Sequence, residues 1–207
     1  MGIPVLILGE SGSGKSASLR NFKPDEIGII NVNGKPFPFR NQLKSVNTDS
    51  YQKIQNVLQK SKVKALVIDD SQYLMANEFM RMAKVTGYQK FTDIGLNFWN
   101  LINTVSALPD DKIVYFLHHI ETTDTGRQKI KTIGKMLDEK ITLEGMFAIV
   151  LKTSVHDGHY YFVTQNNGLD TVKTPIGMFE SDEIENDLKA VDTAIRKYYE
   201  IGDSKND

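Results

Sequence analysis

Short apolar runs alternate with amphipathic segments over the first two thirds of the chain. Runs rich in Val, Ile and Leu predict buried strands over residues 3–8, 27–32, 62–70 and 112–119. Apolar residues at helical spacing predict helices over about residues 15–22, 48–60, 71–84 and 93–108. This alternation predicts an α/β fold with a mostly parallel central sheet and helices on both faces.

The last third of the chain changes to an antiparallel pattern. Residues 146–155 and 160–165 predict two strands, and the turn between them contains Asp157 followed by Gly158, a pair that favours hairpins. Ser181 is predicted to cap a final helix. We expect a single domain over residues 1–203 with this antiparallel hairpin in its C-terminal part, and a flexible tail over residues 204–207.

The segment between the first strand and the first helix has the spacing G-x-x-x-x-G-K-[ST], typical of a phosphate-binding loop. Glycines let the backbone wrap a phosphate, so that the loop N–H groups and the start of the next helix face the anion. We expect Lys15 to reach the β- and γ-phosphates and Ser16 to hold Mg²⁺, which makes ATP and Mg²⁺ the predicted ligands. The predicted nucleotide-binding residues are Gly9, Glu10, Ser11, Gly12, Ser13, Gly14, Lys15, Ser16 and Ala17.

Two acids end the apolar strand whose core is residues 65–68. An apolar strand that ends in Asp, about fifty residues after a phosphate loop, is typical of the Walker B motif, whose acid orders the Mg²⁺ ion and its waters. Asp69 is therefore predicted to hold the metal together with Ser16. Asp70 is predicted to orient or deprotonate the attacking water. The alternative for Asp70 is a solvated neighbour of Asp69.

The fourth predicted strand, residues 112–119, ends in His118 and His119. Ligands of mostly parallel sheets bind beyond the carboxyl ends of the strands, where the phosphate loop and the two acids are also expected. We assign His118 as the candidate catalytic residue that senses the γ-phosphate, with His119 as its alternative. The competing interpretation is a strand-end histidine that is hydrogen-bonded to nearby backbone.

A basic stretch follows these histidines within an apparently irregular segment, residues 121–134. Arg127, Lys129 and Lys131 occur there with no acid between them, and they are predicted to contact the phosphates of single-stranded DNA. An ordinary solvated loop is the alternative. Lys173 is a further hypothesis, a cation that reaches the nucleotide site of a neighbouring subunit.

Composition narrows the classes of function. The net charge of −1 gives no global attraction to nucleic acid, so any such partner must be met by a local patch. The absence of cysteine excludes disulfides and thiol chemistry and fits a reducing cytoplasm. No apolar run approaches the ~18 residues of a membrane span, so we expect no membrane association.

The phosphate loop GESGSGKS, the strand ALVIDDS and the order of elements resemble the RecA-like recombinase core, and most closely the short phage-encoded ATPases of the Sak type. The resemblance implies that Lys15, Ser16 and Asp69 form the nucleotide site. It places DNA-binding loops at about residues 73–91 and at residues 121–134. It also implies a homo-oligomer, a ring or a filament with ATP near its subunit interfaces, and a single-stranded-DNA-binding protein as a further partner.

One departure from this family concerns the acid that the RecA core places just after its second strand. That region here contains Asn31, Asn33 and no acid, so either Asp70 substitutes or hydrolysis is slow. We expect an ATPase of phage-type recombination or replication that acts on single-stranded DNA in the (host) cytoplasm. The alternatives are a nucleotide-dependent regulatory or assembly switch with little turnover and a small-molecule kinase.

Overall fold

A nine-stranded sheet runs through the part of the chain that the structure describes, which is residues 1–201 without the side chain of Asp138. The structure is a computed structural model, and the tail predicted over residues 204–207 lies outside this part. The strands are β1 (Ile3–Gly9), β2 (Ile27–Asn31), β3 (Ser45–Asn47), β4 (Ala65–Asp69), β5 (Ile113–Thr122), β6 (Gln128–Ile130), β7 (Ile149–His156), β8 (His159–Val163) and β9 (Glu183–Glu185).

The spatial order of the strands is β3-β2-β4-β5-β1-β7-β8-β9, and β6 pairs with the end of β5. Every neighbouring pair from β3 to β7 is parallel, whereas β7–β8, β8–β9 and β5–β6 are antiparallel. In the centre, Val5 of β1 lies opposite Tyr115 of β5 and Ile149 of β7. The predicted mostly parallel sheet with a late antiparallel hairpin is therefore confirmed.

Helices cover both faces of the sheet, as predicted. The helices α1 (Tyr51–Lys60), α2 (Gln72–Arg81) and α3 (Gln89–Ser106) pack on the face that contains Leu6 and Leu8 of β1. The helix α4 (Leu188–Tyr198) packs on the opposite face with Val5 and Ile7. Alternate residues of each central strand thus enter two separate apolar cores, which explains the uninterrupted apolar runs in the sequence.

The segment after the phosphate loop is a short 3₁₀ helix, Ser16–Asn21, where the sequence predicted a helix over residues 15–22. The Ser18 hydroxyl donates to the carbonyl of Lys15 at 2.6 Å, and Pro24 disfavours helical backbone at Lys23. The helix dipole at the end of this loop is therefore weaker than the predicted α-helix would provide.

The remaining differences lie in the edges of the sheet. The sequence prediction missed β3 and β6, and β9 occupies the start of the predicted last helix. That helix begins later and is capped by Asp187, whose side chain accepts from the backbone N–H groups of Lys189 and Ala190, so the prediction of Ser181 as its cap is wrong. Three-residue strands at a sheet edge are formed by backbone pairing and carry little apolar signal.

Candidate functional site

The carboxyl ends of β1, β4 and β5 meet at a cavity of about 440 Å³. The parallel pairing of β5 with both β1 and β4 aligns these three strand ends, so that the segments after them converge, as expected for sheets of this kind. The cavity is lined by Ser11, Gly12, Gly14, Lys15, Ser16, Ala17, Lys35, Pro36, Pro38, Asp69, Asp70, His119 and Tyr160.

Several residues of the loop after β1 line this cavity and have unpaired backbone donors. Gly12 and Gly14 have φ values of 78° and 98°, which glycine adopts readily and other residues do not. Within residues 1–201, the backbone N–H groups of Gly12, Gly14, Lys15 and Ser16 donate to no acceptor in the chain. Successive free N–H groups of this kind form a concave anion site.

Other predicted loop residues have supporting positions. Gly9 lies beneath the loop, where a Cβ atom would come within 1.9 Å of Thr153 Oγ1, so the position excludes any side chain. The Ser13 hydroxyl donates to the carbonyl of Glu10 at 2.7 Å, and Glu10 and Ser13 line a neighbouring cavity. Ser11 and Ala17 line the main cavity itself.

Lys15 is buried, with only 6% of its surface exposed. Its Nζ donates to the carbonyls of Gly9 at 2.8 Å and Glu10 at 2.7 Å. Burial lowers the pKa of the ammonium group to about 8, although the carboxylates of Asp70 and Asp69 act in the opposite direction. At neutral pH Lys15 is therefore a mostly charged donor that lines this cavity.

Ser16 and Asp69 are brought together as predicted, since the Ser16 hydroxyl donates to Asp69 Oδ1 at 2.8 Å. Burial raises the pKa of Asp69 to about 6, despite the hydrogen bond from Ser16. Mg²⁺ prefers oxygen ligands and keeps several waters, and it is bound by one or two carboxylates together with substrate phosphates. These two oxygens fit such an ion, although no cage of three His, Cys, Asp or Glu side chains occurs in the described residues.

Asp70 also reaches the cavity, where three side chains hold its carboxylate. Asn33 Nδ2 donates at 2.9 Å and Lys35 Nζ at 3.0 Å, while His119 Nε2 lies 3.6 Å away. Burial alone would raise the pKa of Asp70, but these polar neighbours outweigh it and leave the pKa well below the usual range. A carboxylate of such low basicity is suited to orient a water and poorly suited to take its proton. Asp70 also has a φ of 60°, uncommon for a residue with a side chain.

The structure does not bring His118 to the cavity. This side chain is fully buried beneath α3, with Nδ1 2.8 Å from the Ser71 hydroxyl and Nε2 2.8 Å from the Lys131 carbonyl. The carbonyl can only accept, so Nε2 carries the proton, and burial lowers the pKa of the ring to about 3. His118 thus matches the alternative interpretation, a strand-end histidine bonded to backbone, and His119 takes the place at the cavity.

The basic stretch differs from the predicted irregular loop. It forms the antiparallel hairpin of β5 and β6, in which Lys129 lies directly opposite Glu121, with Nζ 3.2 Å from Oε1. Arg127 and Lys131 are exposed. Lys173 is exposed as well, and its backbone pairs with Val150 of β7.

Sequence reasoning missed four residues that line the cavity, namely Lys35, Pro36, Pro38 and Tyr160. Lys35 follows β2 in a proline-containing loop, and Tyr160 lies on β8, remote in sequence from the phosphate loop. The only available signal for Lys35 was its place after the carboxyl end of a predicted parallel strand.

Comparison with known proteins finds no family model and no curated protein that matches this chain. The fold and the site define an α/β protein with a mostly parallel sheet. At the carboxyl ends of its strands lies a loop in which several backbone N–H groups have no acceptor within residues 1–201. Among the described helices, none combines the length and apolar character that crossing a membrane requires.

Proposed function

We propose that this chain binds Mg-ATP in the cavity at the ends of β1, β4 and β5 and hydrolyses it as an ATPase of the RecA-like type. The observation that supports this most is that Gly12, Gly14, Lys15 and Ser16 line one cavity and have backbone N–H groups with no acceptor within residues 1–201. A tetrahedral, multiply charged phosphate chain satisfies such donors better than a carboxylate or a neutral ligand.

Each residue at the cavity then has a defined task. The loop N–H groups and Lys15 bind the phosphates and stabilise the charge that develops on the transferred phosphoryl group. Ser16 and Asp69 would hold Mg²⁺, which when bound neutralises phosphate charge. Asp70 orients the attacking water through an oxygen that Lys35 and Asn33 keep ionised.

Lys15→Ala tests this proposal. Removing the ammonium group should lower Mg-ATP affinity about 100-fold or more and abolish phosphate release, because one buried charge-assisted contact to the phosphates is lost. The measurements are calorimetric titration with Mg-ATP and a phosphate-release assay. Lys53→Ala, which changes an exposed lysine of α1, is the matched control. Unchanged turnover in the Lys15 variant would refute the proposal.

We further propose single-stranded DNA as the partner of this ATPase, contacted by the exposed Arg127 and Lys131 of the β5–β6 hairpin. The hairpin is tied to the nucleotide cavity, because the Lys131 N–H donates to the carbonyl of His119 at 3.0 Å. The proposals of a ring or filament, of a single-stranded-DNA-binding partner and of a Lys173 role in trans rest on the resemblance to the RecA-like core.

Phosphate release measured with and without single-stranded DNA separates the candidate functions. Stimulation by DNA supports the proposed ATPase. Nucleotide binding without release supports a regulatory or assembly switch, and release of ADP only with an acceptor metabolite supports a kinase.

A further inference from the structure

A second cavity of about 540 Å³ adjoins the phosphate cavity, and the two share Ala17 and Tyr160 as lining residues. Ala17 directly follows Ser16 and lines both cavities, so the second cavity is within reach of a nucleotide whose phosphates lie in the loop. Arg20 and Asn186 also line it. The adjoining cavity is therefore placed where the nucleoside part of a bound nucleotide would go.

The Asn186 side chain is unusual because its amide is buried and makes no hydrogen bond. The residue is 1% exposed, and neither Nδ2 nor Oδ1 of its amide has a hydrogen-bond partner. Among the described residues it alone has two such atoms. Its backbone is fully paired, since its N–H donates to the Tyr160 carbonyl and its carbonyl accepts from Arg20. A buried amide with an unused donor and an unused acceptor is costly, which points to a missing partner.

The position of this amide links it to the phosphate loop. A Cβ atom on Gly14 would lie 3.3 Å from both Asn186 Nδ2 and Oδ1, and 2.8 Å from Cδ1 of Tyr160. The amide and the tyrosine ring therefore pack against the same backbone that surrounds the phosphates. Tyr160 is 45% exposed at the β7–β8 hairpin, so it is accessible to a ligand from solvent.

We propose that the second cavity binds the base of the nucleotide, that the Asn186 amide recognises adenine, and that Tyr160 provides the stacking surface. This inference rests on the proposed function. Adenine presents N7 as an acceptor beside the N6 amino group as a donor, which matches the donor and acceptor of one amide. Guanine presents two acceptors, N7 and O6, and would leave Asn186 Oδ1 facing another oxygen. Aromatic stacking accepts any base and adds affinity without selectivity.

The test compares dissociation constants for Mg-ATP, Mg-GTP and inorganic tripolyphosphate, which can occupy only the phosphate loop. The wild-type chain should bind ATP about tenfold or more tightly than GTP. Asn186→Leu should lower ATP affinity by about the same factor, abolish the preference over GTP and leave tripolyphosphate binding unchanged. Asn103→Leu is the matched control, because Asn103 Nδ2 is also buried without a partner but lies in α3, outside both cavities.

Tyr160→Ala provides a second variant that does not depend on a buried substitution. It should weaken ATP and GTP binding by the same factor and by more than tripolyphosphate binding, because Tyr160 lines both cavities. Tyr199→Ala, at a tyrosine of similar exposure, should change none of the three. If tripolyphosphate and ATP bind but Asn186→Leu keeps the ATP preference, the base site is overturned and the proposed function stands. If the wild type binds neither ATP nor tripolyphosphate, both proposals are refuted.

Discussion

Nucleotide affinity should fall as the pH rises through about 8, because the phosphate loop depends on a buried lysine. Burial lowers the pKa of Lys15 from 10.5 to about 8 in the free chain. The ammonium group is then about nine-tenths charged at pH 7 and about one-tenth charged at pH 9. If only the charged form binds the phosphates, Mg-ATP affinity falls about tenfold over this interval, and binding at pH 8 takes up about half a proton.

Calorimetric titrations at pH 7, 8 and 9 and constant ionic strength measure this affinity. Repeating them in buffers of different ionisation enthalpy gives the proton uptake. Lys35→Gln is the informative control: the Lys35 pKa is raised, first by its hydrogen bond to Asp70, so Lys35 itself stays charged over this interval. Its loss should leave the fall in affinity in place and move its midpoint to higher pH, because the Lys35 charge lowers the pKa of Lys15. Constant affinity from pH 7 to 9 without proton uptake would show that Lys15 is not the group that binds the phosphates.

Two further predictions concern the β5–β6 hairpin and the histidine beneath it. Replacing Arg127 and Lys131 together by Gln should weaken binding of single-stranded DNA and flatten its salt dependence, whereas Lys129→Gln should have a smaller effect because Glu121 already pairs with this lysine. Equal effects of the two variants would contradict the assignment. Burial lowers the His118 pKa to about 3, so the folded state binds this proton less well than the unfolded chain. This contribution to stability is full above pH 6.5 and is lost as the pH falls toward 3, by about 1.4 kcal/mol at pH 5.5. Urea unfolding of His118→Gln should lack this loss, and a wild-type-like acid dependence in the variant would refute the reasoning.

The centre of the fold was predictable because its strands are buried on both faces. A short continuous apolar run such as residues 65–68 favours a strand that is covered on both faces, and helical spacing identified α1 and α3. The spacing of the phosphate loop also predicted the contact between Ser16 and Asp69. These features depend on local sequence and on one rule of sheet geometry.

The choice between His118 and His119 required knowledge that the sequence did not contain. Residues of a strand alternate between faces, so His118 shares the face of Phe116 beneath α3, while His119 points the other way. The sequence shows that the two histidines lie on opposite faces of the strand. It does not show which of the two faces lies next to the phosphate loop. Contacts between remote segments, such as Asn186 with Gly14, depend on packing alone and leave no pattern in the chain.

Asp70 combines an ionised carboxylate with a left-handed backbone conformation, which costs a residue with a side chain about 1 kcal/mol or more relative to glycine. Glycine at this position would relax the main chain. It would also remove the carboxylate that accepts hydrogen bonds from Asn33 and Lys35 and lies 3.6 Å from His119. The lowered pKa of Asp70 means that the folded state stabilises its ionised form, which offsets this backbone strain. Resistance to unfolding and the chemistry of the cavity thus favour the same acid at this point of the chain, in spite of its backbone.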